Sequence, residues 1–337
     1  MTPFAIAALQ LHTSAVQDNF PRIRSRIDIL MELYPWVQMV VLSELATLGP
    51  LQTAAQPLPC PAEDSYRELA ARHRIWLLPG SFYEKKDGKI FNTAPVIDPE
   101  GKVIARYRKM FPFYPYEAGV EPGSEFVTFE VPDVGVFGVS ICYDTWFPET
   151  TRTLAARGAE VILRMTLTST IDREVELAIA RATAAMNQCF VVDVNGLGDG
   201  GNGRSLFVGP AGDVLYEAGT AEEMIPLEIN VERVRRNREI GLRGLGQPLK
   251  SFRDRRVEFD LYHPGNRRTP YLDTLGPLEK PKRGSRAGLR DAAPPPRAAA
   301  GAPPAARATG AAKGVVPSLV PGHPAAAPPN SDGEEES

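Results

Sequence analysis

Cys142 stands where a strand pattern stops and a helix pattern begins, within Gly138-Val139-Ser140-Ile141-Cys142-Tyr143-Asp144-Thr145-Trp146-Phe147-Pro148-Glu149. Val134 to Ile141 is apolar and rich in β-branched residues, the pattern of a buried strand. Pro148 and Glu149 then open an amphipathic stretch running to Arg157, since proline and an acid suit a first helical turn. A thiol on such a turn projects from the end of a sheet, beside backbone N–H groups free to stabilise an oxyanion. A free thiol is only slightly ionised at neutral pH, so a nucleophile here needs a group that takes its proton. Without that group, Cys142 is simply a small buried hydrophobe.

Histidine, the usual partner, is scarce: His12, His73, His263 and His323 are all more than sixty residues from Cys142. Carboxylates and lysines are the remaining candidates. Glu44 follows the apolar run Val40-Val41-Leu42, so a carboxylate falls at a strand's end. Lys109 closes a strand pattern that contains Val103 and Ile104, and Glu117 follows in the proline- and aromatic-rich loop Met110 to Glu117. Open α/β sheets gather their sites at strand ends, where loops present side chains into a crevice.

The elements that must position these residues alternate. Ala5 to Leu11 reads as a strand, and Asp18 or Asn19 caps a helix with Phe20, Ile23, Ile27 and Leu30 on one face. Met39 to Leu42 is a strand, Ser65 to His73 a helix and Ile75 to Phe82 a strand. Phe91 to Asp98 and Val103 to Tyr107 flank the turn Pro99-Glu100-Gly101-Lys102. After the elbow, Glu160 to Met165 reads as a strand, and Arg173 to Asn187 as a helix burying Val175, Ala178, Ile179, Ala182 and Met186. Strands over Phe190 to Asn195, Ser205 to Val208, Val214 to Tyr216 and Met224 to Ile229 complete an α/β pattern with a mixed sheet. Gly196-Leu197-Gly198-Asp199-Gly200-Gly201 has the glycine spacing of a dinucleotide loop but leads into a strand, so it reads as a flexible turn.

Taken together, these residues resemble the nitrilase superfamily of carbon–nitrogen hydrolases, whose signature is a Glu, Lys, Cys triad. The resemblance runs over residues 4–240. It rests on Ser43-Glu44, on Tyr107-Arg108-Lys109, on Ile141-Cys142-Tyr143-Asp144 with Phe147-Pro148-Glu149, and on Gly158-Ala159-Glu160 before an apolar strand. Within the superfamily it is nearest to the aliphatic amidase and formamidase branch. That likeness is carried by Arg108 to Pro112 with Pro115, Glu117, Pro122 and Gly123, by Gly158 to Arg164, and by Met186 to Val192. Ser43, Leu45 and Phe113 depart from that branch and touch the pocket lining.

The resemblance implies a four-layer α-β-β-α sandwich with mixed sheets. It implies Glu44 as general base, Cys142 as nucleophile and Lys109 as oxyanion partner, with Glu117 orienting the substrate or holding Lys109. Tyr143, Trp146 and Phe113 are expected to bind substrate. Arg164 either binds a substrate carboxylate or forms a buried pair with an acid. The reaction implied is hydrolysis of a small amide to an acid and ammonia, without metal or organic cofactor. N-carbamoyl-amide or nitrile hydrolysis, and a catalytically silent scaffold, are the alternatives. Family members pair through helices near the nucleophile, so a homodimer or an assembly of dimers is expected. The organisation expected is a hydrolase domain over 1–245, a dimer-exchanged arm over 246–279 and a disordered tail over 280–337.

Composition excludes other classes. The chain has 337 residues and a net charge of −3, which leaves no electrostatic footprint for nucleic acid. No apolar run approaches the ~20 residues that span a bilayer. The N-terminus lacks a basic leader and reads as a strand. Cys60, Cys142 and Cys189 show neither disulfide nor metal spacing, and Cys60 and Cys189 are expected to be inert packing residues. A reducing, cytoplasmic setting is expected. Pro281 to Ser337 holds 15 Ala, 11 Pro and 7 Gly with no aromatic residue, too little apolar surface to offset its ordering entropy.

Overall fold

The computed structural model describes residues 3–263 and 269–280; the tail reading made for 281–337 lies outside the described residues. The chain begins with β1 (Phe4–Gln10), β2 (His12–Thr13), α1 (Phe20–Leu33), β3 (Met39–Leu42), α2 (Pro61–His73), β4 (Trp76–Leu78), β5 (Phe82–Lys86), β6 (Lys89–Ile97) and β7 (Val103–Arg108). It continues with β8 (Thr128–Val131), β9 (Gly135–Ile141), α3 (Pro148–Ala156), β10 (Val161–Thr166), α4 (Asp172–Asn187) and β11 (Phe190–Asn195). Then follow β12 (Leu197–Gly198), β13 (Leu206–Val208), β14 (Val214–Glu217), β15 (Glu223–Ile229), α5 (Glu232–Ile240), α6 (Pro248–Arg253) and α7 (Pro270–Asp273).

Two mixed sheets stack face to face. One has the order β15-β1-β3-β4-β6-β5 with β7 on β6, the other β14-β13-β11-β10-β9-β8. Side chains alternate across each strand, so every inner strand serves two cores. Along β1, Phe4, Ile6 and Ala8 enter the core between the sheets, while Ala7 and Leu9 face α1 and α2. Met39 and Val41 of β3 do the same against Val40 and Leu42. In the second sheet Val161, Leu163 and Met165 point inward, while Ile162 packs with Leu177, Ala180 and Ala184 of α4. The layers are helix, sheet, sheet, helix, as the resemblance implied. Each fully buried Val, Leu or Ile contributes roughly 1.5–3 kcal/mol, and the two cores on either face of a strand hold its register.

Three local readings change. Ile75 to Phe82 is not one strand, because Pro79 and Gly80 interrupt it and β5 starts anew at Phe82. Gly80 has φ +80°, and a Cβ there would lie 2.0 Å from the Ser43 carbonyl oxygen, so only glycine fits beneath the first acid. Asn19 stands at the start of α1 without a side-chain cap; its side chain instead accepts from the Ser14 N–H and donates to the Thr47 carbonyl, fastening the segment after Glu44. The buried face of α4 is rotated from the expected one: Val175 and Met186 are exposed, while Arg173, Glu176, Leu177, Ala180, Thr183, Ala184 and Asn187 are buried. The two faces lie about one residue apart, and buried charge partners decide between them.

The glycine run over 196–201 is packed rather than loose. β12 pairs with β2, Gly200 and Gly201 are buried, and the chain passes directly to β13. The segment after residue 245 lies along α3 of its own chain, with the Arg152 guanidinium 5.3 Å from the Phe252 ring centroid and the Tyr262 hydroxyl donating to Glu149 at 3.3 Å.

Candidate active site

Three of the chemistry-bearing residues leave different strands and arrive at one place, where Glu117 joins them from the loop after β7. Glu44 follows β3, Lys109 follows β7, and Cys142 follows β9 at the start of a 3-10 turn over Cys142–Trp146. The two sheets are stitched there by the Glu44 N–H donating to the Thr166 carbonyl at the end of β10, 3.3 Å away. Cys142 adopts φ +44°, a conformation non-glycine residues occupy at a cost of about 1–3 kcal/mol. That elbow turns the side chain out of the sheet and leaves the first N–H groups of the turn without intrahelical partners.

Asp144 holds the elbow in place. Its Oδ2 accepts from the Tyr107 hydroxyl at 2.6 Å and the Ile141 N–H at 3.0 Å, and its Oδ1 accepts from Met110 N at 3.1 Å and Phe111 N at 2.9 Å. One buried carboxyl thereby ties the nucleophile turn to the lysine loop. Burial pushes Asp144 up to about 6, against the pull of those donors.

Lys109 lies between two acids. Its Nζ donates to Glu44 Oε1 at 2.9 Å and to Glu117 Oε2 at 2.6 Å, and it is buried. Asn92 on β6 donates from Nδ2 to Glu44 Oε1 at 2.8 Å and to Glu117 Oε1 at 3.4 Å. Glu117 also accepts from the Phe113 N–H at 2.6 Å and the Tyr83 hydroxyl at 3.3 Å. The Cys142 thiol donates to the Leu167 carbonyl at 3.7 Å, with Thr168 Oγ1 3.9 Å away.

The electrostatics divide the labour. Burial raises Glu44 above its ordinary value although Lys109 pulls it down. Burial also works against ionised Glu117, but the Lys109 charge and hydrogen bond, with the Phe113 N–H, hold it below the ordinary value. For Lys109 burial is outweighed by the charges of Glu44, Cys142 and Glu117, so the ammonium stays protonated well above its usual range. Burial and then the Glu44 charge push the Cys142 thiol well up, with Lys109 opposing. The resting arrangement is therefore a thiol beside a carboxylate that can take its proton, next to a fixed cation.

Cys142 opens into a cavity of about 430 Å³ that Phe113, Tyr143 and Trp146 also line. Phe113 and Tyr143 have ring centroids 4.8 Å apart, and Tyr143 and Trp146 6.2 Å. A larger surface cavity of about 860 Å³ includes none of these residues; its Arg106 and Arg108 are already paired with Glu63 and Glu84.

Arg164 does not reach the cavity. It is buried against Asp193, which also receives Arg173 at 2.8 Å, and it donates to Thr145 Oγ1. Cys189 is buried, and Cys60 accepts from the Glu63 N–H at the start of α2, a cap and not only packing. His73 pairs with Asp28 at 2.7 Å. Asn92, Tyr83, Asp144 and Thr168 escaped the sequence reading. No motif marks an isolated asparagine or tyrosine as site-facing; only Asp144, two residues past the nucleophile, carried a positional signal.

Comparison with known proteins meets this geometry. The carbon–nitrogen hydrolase family profile matches residues 5–239. The chain belongs to the carbon–nitrogen hydrolase family. It is 29% identical over 285 residues to the omega-amidase NIT2 of Homo sapiens, spanning 78% of this chain and 98% of that one. It is 33% identical over 186 residues to the 2-oxoglutaramate amidase of Bacillus subtilis, spanning 53% of this chain and 71% of that one. Among solved structures, Nit3 of Saccharomyces cerevisiae, described as a member of branch 10 of the nitrilase superfamily, superposes with a TM-score of 0.64 at 27% identity, over 70% of this chain and 93% of that one. This carbon–nitrogen hydrolase is thus an enzyme acting on C–N bonds, with the nitrilase-superfamily α/β fold. Among its described residues no helix is long and apolar enough to cross a membrane.

Proposed function

We propose that this carbon–nitrogen hydrolase cleaves a small non-peptide amide through a thioester on Cys142. The observation that carries this reading is the buried Lys109 ammonium, which donates to Glu44 Oε1 at 2.9 Å and to Glu117 Oε2 at 2.6 Å, with Cys142 lining the 430 Å³ cavity.

Sγ attacks the amide carbonyl as its proton passes to Glu44, so no free thiolate need accumulate. The carbonyl π electrons move to oxygen, and the Lys109 ammonium with the N–H of Tyr143 stabilises that oxyanion, a contribution of about 3 kcal/mol per donor. Glu44 returns the proton to nitrogen as the C–N bond breaks, releasing ammonia and leaving the thioester. Water then attacks, giving its proton to Glu44; the C–S bond breaks, and the proton goes back to sulfur with release of the acid. Glu117, ionised against Lys109, keeps the cation in position throughout.

The test is ammonia release from formamide, short aliphatic amides, ω-amides, N-carbamoyl compounds and nitriles, with wild type and Cys142→Ala. Turnover of amides by wild type alone supports the reading. Amide turnover that survives in Cys142→Ala ends the nucleophile assignment, and preference for N-carbamoyl compounds or nitriles ends the amide assignment.

A further inference from the structure

The cavity beside Cys142 has a chemical bias of its own. At one wall stands Glu176 of α4, buried, whose Oε1 accepts from Thr168 Oγ1 at 3.1 Å and from Trp146 Nε1 at 3.5 Å. Its other oxygen lies 3.3 Å from Arg173 Nη1, but that guanidinium sits closer to Asp193, at 2.8 Å. The buried group of Arg164, Arg173, Asp193 and Glu176 contains two cations and two anions, so it lends no positive charge to the cavity. Asp172, at the start of α4 and partly exposed, adds a second carboxylate to the lining. Among the described residues the lining includes no Lys, Arg or His. Lys109, which is not part of the lining, is already shared by Glu44 and Glu117.

Phe113, Tyr143 and Trp146 set aromatic rings in the lining, beside Leu167 and the segment Thr168-Ser169-Thr170. Faces of such rings attract cations, and Trp most strongly. Glu176 is countered by Arg173, so Asp172 supplies the charge; a partly aromatic cavity with that carboxylate and no basic group in its lining fits an ammonium and repels a carboxylate.

We infer that the acyl part of the substrate carries a protonated amine held between this aromatic wall, Asp172 and Glu176, and that amides bearing a carboxylate are rejected. The inference rests on the amidase reading above and names its substrate class. It sets this cavity apart from one built for an acidic ω-amide.

Three amides of similar length separate the possibilities: 4-aminobutanamide, butanamide and succinamate, cationic, neutral and anionic at neutral pH. Affinity is measured by calorimetry on Cys142→Ala, which binds without turning over, and ammonia release is measured on wild type. The cationic amide is expected to bind at least ~10-fold more tightly than the neutral one, and the anionic one at least ~10-fold more weakly. Asp172→Asn and Glu176→Gln, each in the Cys142→Ala background, should shrink the cation-to-anion ratio by several-fold. Asp172 is partly exposed, so its variant reads the effect even if the buried Glu176→Gln fails to fold. Equal binding of the three, tighter binding of succinamate, or a ratio unmoved by Asp172→Asn overturns the inference. Cation-selective binding without ammonia release from any amide overturns the amidase reading and leaves the selectivity standing.

Discussion

Glu117 Oε2 lies 2.6 Å from Lys109 Nζ, closer than the 2.9 Å that separates the same ammonium from Glu44 Oε1. The tighter contact belongs to the acid held ionised, so Lys109 is anchored by Glu117 and lent to Glu44. Glu117→Gln keeps the shape but removes the charge, and a charge-assisted bond contributes about 1.5–3 kcal/mol. We expect kcat to fall roughly 10- to 100-fold with little change in KM. An unchanged kcat would mean that Lys109 needs no second acid.

Glu44→Gln should be more damaging, because it removes the proton acceptor while preserving an oxygen for Lys109 and Asn92. A loss of about 10²- to 10⁴-fold in kcat/KM is expected. Mass spectrometry of the Cys142 peptide with a slow amide should show an acyl adduct in wild type and none, or one that persists, in the variant.

The pH profile follows from the same carboxylate. Glu44 works as a base only when ionised, and burial lifts its pKa above the ordinary 4.5. The acid limb of kcat/KM is therefore expected above pH 4.5, with activity rising as pH climbs through it. Lys109 titrates well above its usual range, so loss of its charge should not shape the curve near neutrality.

Asn92 donates to the carboxylates of both Glu44 and Glu117 from one amide nitrogen, at 2.8 and 3.4 Å. Asn92→Leu should lower kcat/KM at least ~10-fold and cost about 1–3 kcal/mol of stability, since a buried carboxylate loses a donor. Asn92→Asp should be worse than Leu in activity, because it sets a third acid beside Glu44 and Glu117. Activity assays with chemical denaturation separate the two effects.

Asp193 carries a stability prediction independent of catalysis. Arg164 and Arg173 hold its carboxyl down at about 2 from an ordinary 3.8, against the opposing effect of burial. A carboxyl with a depressed folded-state pKa contributes stability that is present above pH 3.8 and is lost as pH falls through about 2. That contribution is roughly 2 kcal/mol. Asp193→Asn should destabilise by about 3–5 kcal/mol, because two buried guanidinium groups lose their shared partner. Denaturant midpoints at several pH values read both.

Much of this enzyme was written in local pattern. Apolar alternation marked the strands, Pro148 marked the start of α3, and a lone cysteine marked the strand-to-helix turn that faces the cavity, because these signals arise between residues near one another in the chain. The short motifs around Glu44, Lys109 and Cys142 carried the family resemblance for the same reason. Tertiary packing decided the rest. It brought the ends of β3, β7 and β9 within hydrogen-bond reach, and it set Asn92 and Tyr83 from other strands against the acids. It also turned α4 so that Arg173 and Glu176 lie inside while Val175 and Met186 face out. Periodicity offers two neighbouring stripes, and the one holding Leu177, Ala180 and Ala184 is buried with Arg173 and Glu176 because Arg164 of β10 and Asp193 of β11 bring charges that no sequence-local rule contains.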